Sequence, residues 1–265
     1  MKAAKPIALL AVLLVLALSA FVLIGRSQQT NLLVGQVTAA PLQGRPGAVG
    51  VFFDIHNKGA PDRLISARSI VAKRAWLESA VADAGLPIPA NSTPALVPDG
   101  AFVLMDGVGG DLDEGRMIPI TLQFEKAGEI RTQARLLSPR DTGDAERFGL
   151  FGIGDICQVG EGEPAPDIDV SVEPKGDDWQ IRVTAKDFTF SQDMIDGPHV
   201  PGTGHAHLYL GGLKLKRLFD PETRIGPLPP GKHEVRVTLN PDGPRAYVVG
   251  ALPVTATALI TVPSP

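Results

Sequence analysis

Cysteine is nearly absent: Cys157 is the single one in 265 residues. That excludes an internal disulfide framework, a four-cysteine zinc site and an iron–sulfur cluster, each of which needs several thiolates. Any metal would have to be taken by histidine, methionine or carboxylate. Aromatic residues make up only 5%, and 25 basic residues are outnumbered by 29 acidic ones, for a net charge of −4. Neutralising phosphates needs a concentrated basic face, so nucleic acid is dropped as a partner. Sustained helical periodicity is lacking as well. What abounds is glycine (29) and proline (24), spread over the whole length, which argues against a helical bundle and for short elements joined by turns. The length suggests about two domains.

The apolar run at residues 7–24 (IALLAVLLVLALSAFVLI) follows Lys2 and Lys5, the order of an export signal. It exceeds an ordinary signal-peptide core and reaches the lower limit of a bilayer span. Residues 1–26 are therefore expected to be a signal or membrane anchor, a hydrophobic helix with its lysines on the cytoplasmic side. Cleavage near Ala17-Leu18-Ser19 would leave Phe21–Ile24 as an apolar new terminus, so retention is the favoured expectation. Without Lys2, Lys5 and Arg26 the 25 basic residues fall to 22 against 29 acidic ones, and this acidic remainder is expected on the periplasmic side of the inner membrane, anchored or released.

From residue 32 to 137, short β-like runs (LLVGQVTAA, AVGVFFDIHN, RLISARSIV, AFVLM, MIPITLQF, EIRTQARL) alternate with turn residues at spacings near ten, which predicts a β-sandwich. A short helix has room within residues 70–84. Residues 138–166 are rich in glycine, proline and acid without periodicity and read as a linker. Strand patterning resumes over 167–263 (DIDVSVEP, WQIRVTAKDFTF, HAHLYLGG, KHEVRVTLN, TATALITV) and predicts a second, immunoglobulin-like sandwich. The expected fold class is thus all-β, two β-sandwich domains after an N-terminal hydrophobic helix.

Three of the five histidines, His199, His205 and His207, fall within nine positions of the second sandwich. On a strand His205, His207 and Tyr209 share one face while Ala206, Leu208 and Leu210 share the other. With the apolar face turned to the core, two imidazoles project together from the opposite side. His199 precedes a Pro-Gly-Thr-Gly turn that would fold it back, and Met194 lies a little upstream. Imidazole suits copper, zinc and nickel, and a thioether selects Cu(I), so a set of His199, His205, His207 and Met194 is copper-like. The bland alternative is a surface H-x-H with no metal. His56 and His233 read as structural, and Cys157, between Ile156 and Gln158, as a buried inert thiol. The glycines of 149–154 lack a dinucleotide loop's spacing, Asp111, Asp113 and Glu114 lack the order of a calcium loop, and Asn91-Ser92-Thr93 is a glycosylation triplet only formally.

The segment IHNKGAPDRLISARSIVAKRAWLES, with IPANSTPALVPDGAFVLMDGV and LDEGRMIPITLQFEKAGEI, resembles the PCu(A)C family of periplasmic copper chaperones. That resemblance covers residues 32–137 and implies a cupredoxin-like sandwich whose relatives bring Cu(I) to the copper centre of cytochrome oxidase. The family's His and Met ligands do not follow. Glu78 stands where a histidine is expected, residues 80–86 contain no methionine, and the His-x-Met position reads Phe102-Val103-Leu104. Copper binding is therefore not carried over to the first sandwich. The second, through DGPHVPGTGHAHLYLGG, is similar to a small β-sandwich module appended to copper-handling secreted proteins, which strengthens the metal reading there.

The expected function is a non-enzymatic, periplasmic copper-binding protein, chaperone-like, with Cu(I) favoured and Cu(II) admitted. Its partners would be a copper acceptor such as a cytochrome oxidase subunit, and the membrane through residues 1–26. Proton competition at the imidazoles predicts weaker binding toward and below about pH 6.5. The alternative is a metal-free, membrane-tethered scaffold that docks a protein. A metalloenzyme would need Asp193 or Asp196 as acid or base beside the histidines.

Overall fold

The computed structural model describes residues 31–42, 44–79, 85–137, 156–160, 162–193, 200–241, 246–250 and 252–264. The apolar segment 7–24, Met194 and His199 lie outside the described residues. Leu32–Pro265 is one compact unit.

The described chain is all-β. The strands are β1 (Leu32–Val34), β2 (Thr38–Pro41), β3 (Val49–Asn57), β4 (Asp62–Arg68), β5 (Arg74–Glu78), β6 (Leu86–Ile88), β7 (Ala95–Leu96), β8 (Phe102–Asp106), β9 (Met117–Phe124) and β10 (Gly128–Leu136). They continue with β11 (Ile156–Gln158), β12 (Asp167–Lys175), β13 (Asp178–Lys186), β14 (Thr189–Phe190), β15 (Thr203–Leu210), β16 (Leu213–Leu218), β17 (Glu222–Ile225), β18 (Gly231–Asn240), β19 (Ala246–Val249), β20 (Leu252–Pro253) and β21 (Thr255–Val262). Where the sequence left room for a helix, residues 74–78 form a strand paired with β8, with Trp76 opposite Leu104 and Glu78 opposite Phe102.

The alternation read from the sequence is real. In β9 the even positions Ile118, Ile120, Leu122 and Phe124 are buried while Met117 is exposed, because a two-residue period puts one set of side chains on the core face. Two main cores result. The first gathers residues from Leu32 to Leu136, among them Val51, Ile55, Leu64, Ile120 and Phe124, together with Leu213. The second gathers Ile181, Val183, Ala206, Leu208, Leu210, Val235, Val237, Tyr247 and others. Cys157 is buried in this second core, and its strand β11 pairs in parallel with β19. His233 is buried with Nε2 2.6 Å from the Pro229 carbonyl, the structural role its position suggested.

The two cores are stitched together. β7 pairs with β3 on one side and with β16 on the other, through Phe53–Leu96 and Lys214–Ala95, so one hydrogen-bonded path runs through both halves. The β15–β16 turn, Gly211-Gly212, sits against the first sandwich: the Ala101 amide donates to the Gly212 carbonyl at 2.7 Å, and the Ser79 hydroxyl to the Gly211 carbonyl at 3.3 Å. Both glycines have positive φ, 56° and 88°, which the tight turn requires. Immediately after it, Leu213 is fully buried and belongs to the first core.

The close approach makes a test. A Cβ on Gly100 would meet the Gly212 carbonyl oxygen at 2.3 Å, a backbone atom that cannot swing away. Gly100→Ala is expected to cost about 2–3 kcal/mol, read as a lower urea midpoint with an unchanged slope. A midpoint equal to that of the unaltered chain would show that the hairpin does not seat there.

Candidate metal centre

β15 carries the histidine pair as a central strand, with β16 on one edge and β18 on the other. Ala206, Leu208 and Leu210 enter the second core, as the sequence predicts. The other face is where structure and expectation part. His205 is 1% exposed, His207 3% and Tyr209 2%, so the imidazoles are buried and do not project from an open sandwich edge. Part of the cover over His207 and Tyr209 is a turn more than a hundred residues away. Asp99, in the Val97–Ala101 turn of the first sandwich, is itself buried and reaches over this face.

The buried groups form a connected set. The Tyr209 hydroxyl donates a short hydrogen bond to Asp99 Oδ2. His207 Nδ1 lies 3.4 Å from the Tyr209 oxygen and 3.8 Å from Asp99 Oδ2. The Lys214 ammonium is 3.7 Å from the same carboxylate oxygen. From β18, Arg236 donates to the Asp99 backbone carbonyl at 2.9 Å and stacks 4.0 Å from the centre of the Tyr209 ring. At the far end His205 Nε2 and His207 Nε2 are 3.1 Å apart, and the Phe219 ring lies 5.8 Å from the His205 ring. His205 Nδ1 is buried and makes no hydrogen bond, although the Pro241 backbone nearby works to favour the protonated ring.

Charge states follow from burial. Desolvation pushes the His205 imidazole down to about 3, with the cations Arg217 and Lys214, and His207 when it carries a charge, adding to it. Burial lowers His207 as well, against the raising effect of Asp99. For Asp99, burial works to raise the carboxyl, but His207, Lys214 and Tyr209 outweigh it and hold it below the usual carboxylate range. At neutral pH the site is thus two neutral imidazoles beside an ionised carboxylate, with the Tyr209 proton held tightly by burial and by Asp99.

Neutral imidazole is the ligand form. Two nitrogens 3.1 Å apart fit one ion with metal–nitrogen bonds of roughly 2.0–2.1 Å subtending an angle of about 100°, the separation of neighbouring ligands on a tetrahedral ion. It is too short for a linear two-ligand Cu(I). No cluster of three or more His, Cys, Asp or Glu able to hold a metal occurs among the described residues. The structure therefore brings together two of the four residues singled out from the sequence, His205 and His207, while Met194 and His199 lie outside its described part.

Asp99, Lys214 and Arg236 escaped the sequence reading. Asp99 sits in Pro98-Asp99-Gly100, which reads as an ordinary turn. Arg236 gave the better signal, a long cation between Val235 and Val237 in a strand otherwise patterned for burial.

On the first sandwich, the face where the family resemblance would put copper ligands is apolar. Phe102 and Leu104 are buried in a small cluster with Ala48, packed by Leu42, Phe52 and Trp76. Glu78 accepts a 2.8 Å hydrogen bond from the Trp76 indole.

Comparison with known proteins places the resemblance on the same segment. Residues 32–136 match the family described as "LpqE-like: Putative lipoprotein LpqE-like". A solved structure titled "Copper-bound PCuAC domain from PmoF2" is 24% identical, covering 41% of this chain and 94% of its own, with a TM-score of 0.38. "Apo PCuAC domain from PmoF1" is 28% identical over 41% of this chain and 95% of its own, with a TM-score of 0.37. A search of curated proteins finds no match. The family match covers the first sandwich and ends before the second, where the histidine pair lies.

Proposed function

We propose that the protein binds copper through His205 and His207 and handles it outside the cytoplasm without catalysing a reaction. The observation that carries this reading is the convergence of two neutral imidazole nitrogens at 3.1 Å in a buried setting. His199 and Met194 are proposed to complete the set, since the pair alone supplies two donors at an angle unsuited to linear coordination. Local charge argues for the monovalent ion: Lys214, Arg217 and Arg236 outnumber Asp99 around the site, and each added positive charge costs more in a buried place than in water. Cu(I) is therefore favoured over Cu(II) and Zn(II). The acceptor proposed for the copper is an envelope protein such as a cytochrome oxidase subunit.

For the location we propose the periplasmic face of the inner membrane, with residues 7–24 as tether. The related family is described as lipoprotein, but cysteine-linked lipid has no candidate near residues 1–26, where no cysteine occurs. No helix among the described residues is long and apolar enough to cross a membrane.

The second reading, a metal-free scaffold that presents its surface to a protein, is favoured by one feature: the network of Asp99, Tyr209 and Arg236 cross-links the two sandwiches whether or not an ion is present. Competitive Cu(I), Cu(II) and Zn(II) titration separates the two. One tight Cu(I) equivalent is expected in the unaltered chain, weakened at least a hundredfold in His205→Gln/His207→Gln, with circular dichroism reporting that the variant folds. Equal copper affinity in both would remove the pair from the site, and no tight metal in either would leave the scaffold reading.

A further inference from the structure

The buried chain of polar groups has a direction that can be read by counting protons. Asp99, beside the Lys214 ammonium, is an acceptor only, and its Oδ2 takes the Tyr209 hydroxyl proton. With that proton committed, the Tyr209 oxygen can only accept from His207 Nδ1, 3.4 Å away, and the same Nδ1 faces Asp99 Oδ2 at 3.8 Å. Both neighbours of this nitrogen demand a donor, so Nδ1 carries the proton and Nε2 carries the lone pair. That lone pair points at His205 Nε2, 3.1 Å away.

We propose that Asp99, supplied by the first sandwich, is a positioning residue that fixes His207 in the Nδ1–H tautomer and so presents its Nε2 lone pair toward His205 for a shared cation. The proposal rests on the copper reading of the pair for its use, but the tautomer itself is a property of the metal-free protein. It assembles a carboxylate–histidine–metal relay across two sandwiches, and it gives the first sandwich a part in the site although its own ligand positions are filled by Phe102 and Leu104. Without metal, the His205 Nε2–H donates to the His207 lone pair. For His205 Nε2 to hold an ion as well, its proton would have to pass to Nδ1 of the same ring, which is buried beside the Pro241 backbone; one N–H bond would break and one form, with no electron exchanged. His205 is the ring that switches and His207 the ring that is already set.

The test uses the full chain in detergent, labelled with nitrogen-15 at its five histidines. Nitrogen–proton correlation spectra assign the tautomer of each ring with no metal present. Nδ1–H at His207 and Nε2–H at His205 are expected. In Asp99→Asn the amide group can donate to Nδ1, and His207 is expected to shift toward Nε2–H, while Asp99→Glu restores Nδ1–H. Cu(I) affinity should fall about 10- to 100-fold in Asp99→Asn and recover in Asp99→Glu. Nε2–H at His207 in the unaltered chain would overturn the proposal whatever copper does, and so would an unchanged tautomer in a folded Asp99→Asn. If Asp99→Asn fails to fold, the unaltered chain's spectrum still decides. The expected tautomers together with no copper binding would support the positioning role and overturn the copper reading instead.

Discussion

Acidification from pH 7 to pH 5 is expected to weaken the folded chain by on the order of 2 kcal/mol, before most carboxylates change state. His205 is ordinarily protonated near 6.5 when unfolded, whereas its folded imidazole is held down to about 3, chiefly by burial. Between those values the unfolded chain binds a proton that the folded chain refuses. Stability is therefore full above about 6.5 and falls as the pH drops through the window toward 3, with a ceiling near 1.4 kcal/mol per pH unit for each such histidine. His207 and His233 are lowered by burial too and act in the same direction. Asp99, held below its ordinary range, adds its own loss only at more acid pH. Urea midpoints taken from pH 8 down to pH 4 should stay level above 7 and then decline, and His205→Gln should flatten the decline. A midpoint unchanged between pH 7 and pH 5 would mean that these rings reach solvent in the folded state.

The same depression reverses what the sequence alone suggested about metal. An exposed H-x-H would lose its ion to protons near pH 6.5. Two rings that resist protonation compete with protons much less, so Cu(I) bound at the pair is expected to persist to about pH 5.

Much of the architecture was legible because strand periodicity is a local signal. Ile118, Ile120, Leu122 and Phe124 alternate with polar or exposed neighbours within one stretch, and no distant residue is needed to read them. Ala206, Leu208 and Leu210 announced the inner face of β15 in the same way. The outer face of that strand was misread for a physical reason. Period-two logic assigns a strand one covered face, and whether the second is covered depends on what docks there, which is a non-local fact. Here part of the cover comes from the Asp99 turn, 110 residues from Tyr209. The residues that place the cover, Gly100 against Gly212 and Leu213 inside the first core, read as turn and strand residues with no hint of a partner. Within the stretch 70–84 allowed for a helix, Arg74–Glu78 is instead held as a strand by pairing with β8, while residues 80–84 lie outside the described part.

Asp99→Ala should be the costliest single substitution in this buried set, at about 3–5 kcal/mol. Removing the carboxylate leaves the Tyr209 hydroxyl without its acceptor and Lys214 without its counter-charge in a place closed to water. The bond from Arg236 survives, because it goes to the Asp99 backbone carbonyl, so the loss isolates the carboxylate. Asp99→Asn should cost less, since the amide nitrogen at the Oδ2 position can still bond the Tyr209 oxygen, and Tyr209→Phe should lie between the two. Because Asp99 and Tyr209 touch, the losses should not add: a double-mutant cycle is expected to give a coupling of about 1–2 kcal/mol. Urea unfolding of the four proteins measures it. A value of Asp99→Ala within about 0.5 kcal/mol of the unaltered chain, the range of an ordinary surface change, would show that the carboxylate does not seal the histidine face and that the two sandwiches are held by their other contacts, such as the Gly211-Gly212 hairpin and the β7–β16 pairing. A large loss with strong coupling would instead make the Asp99 carboxylate an integral part of the wall around His207 and Tyr209, contributed by the first sandwich.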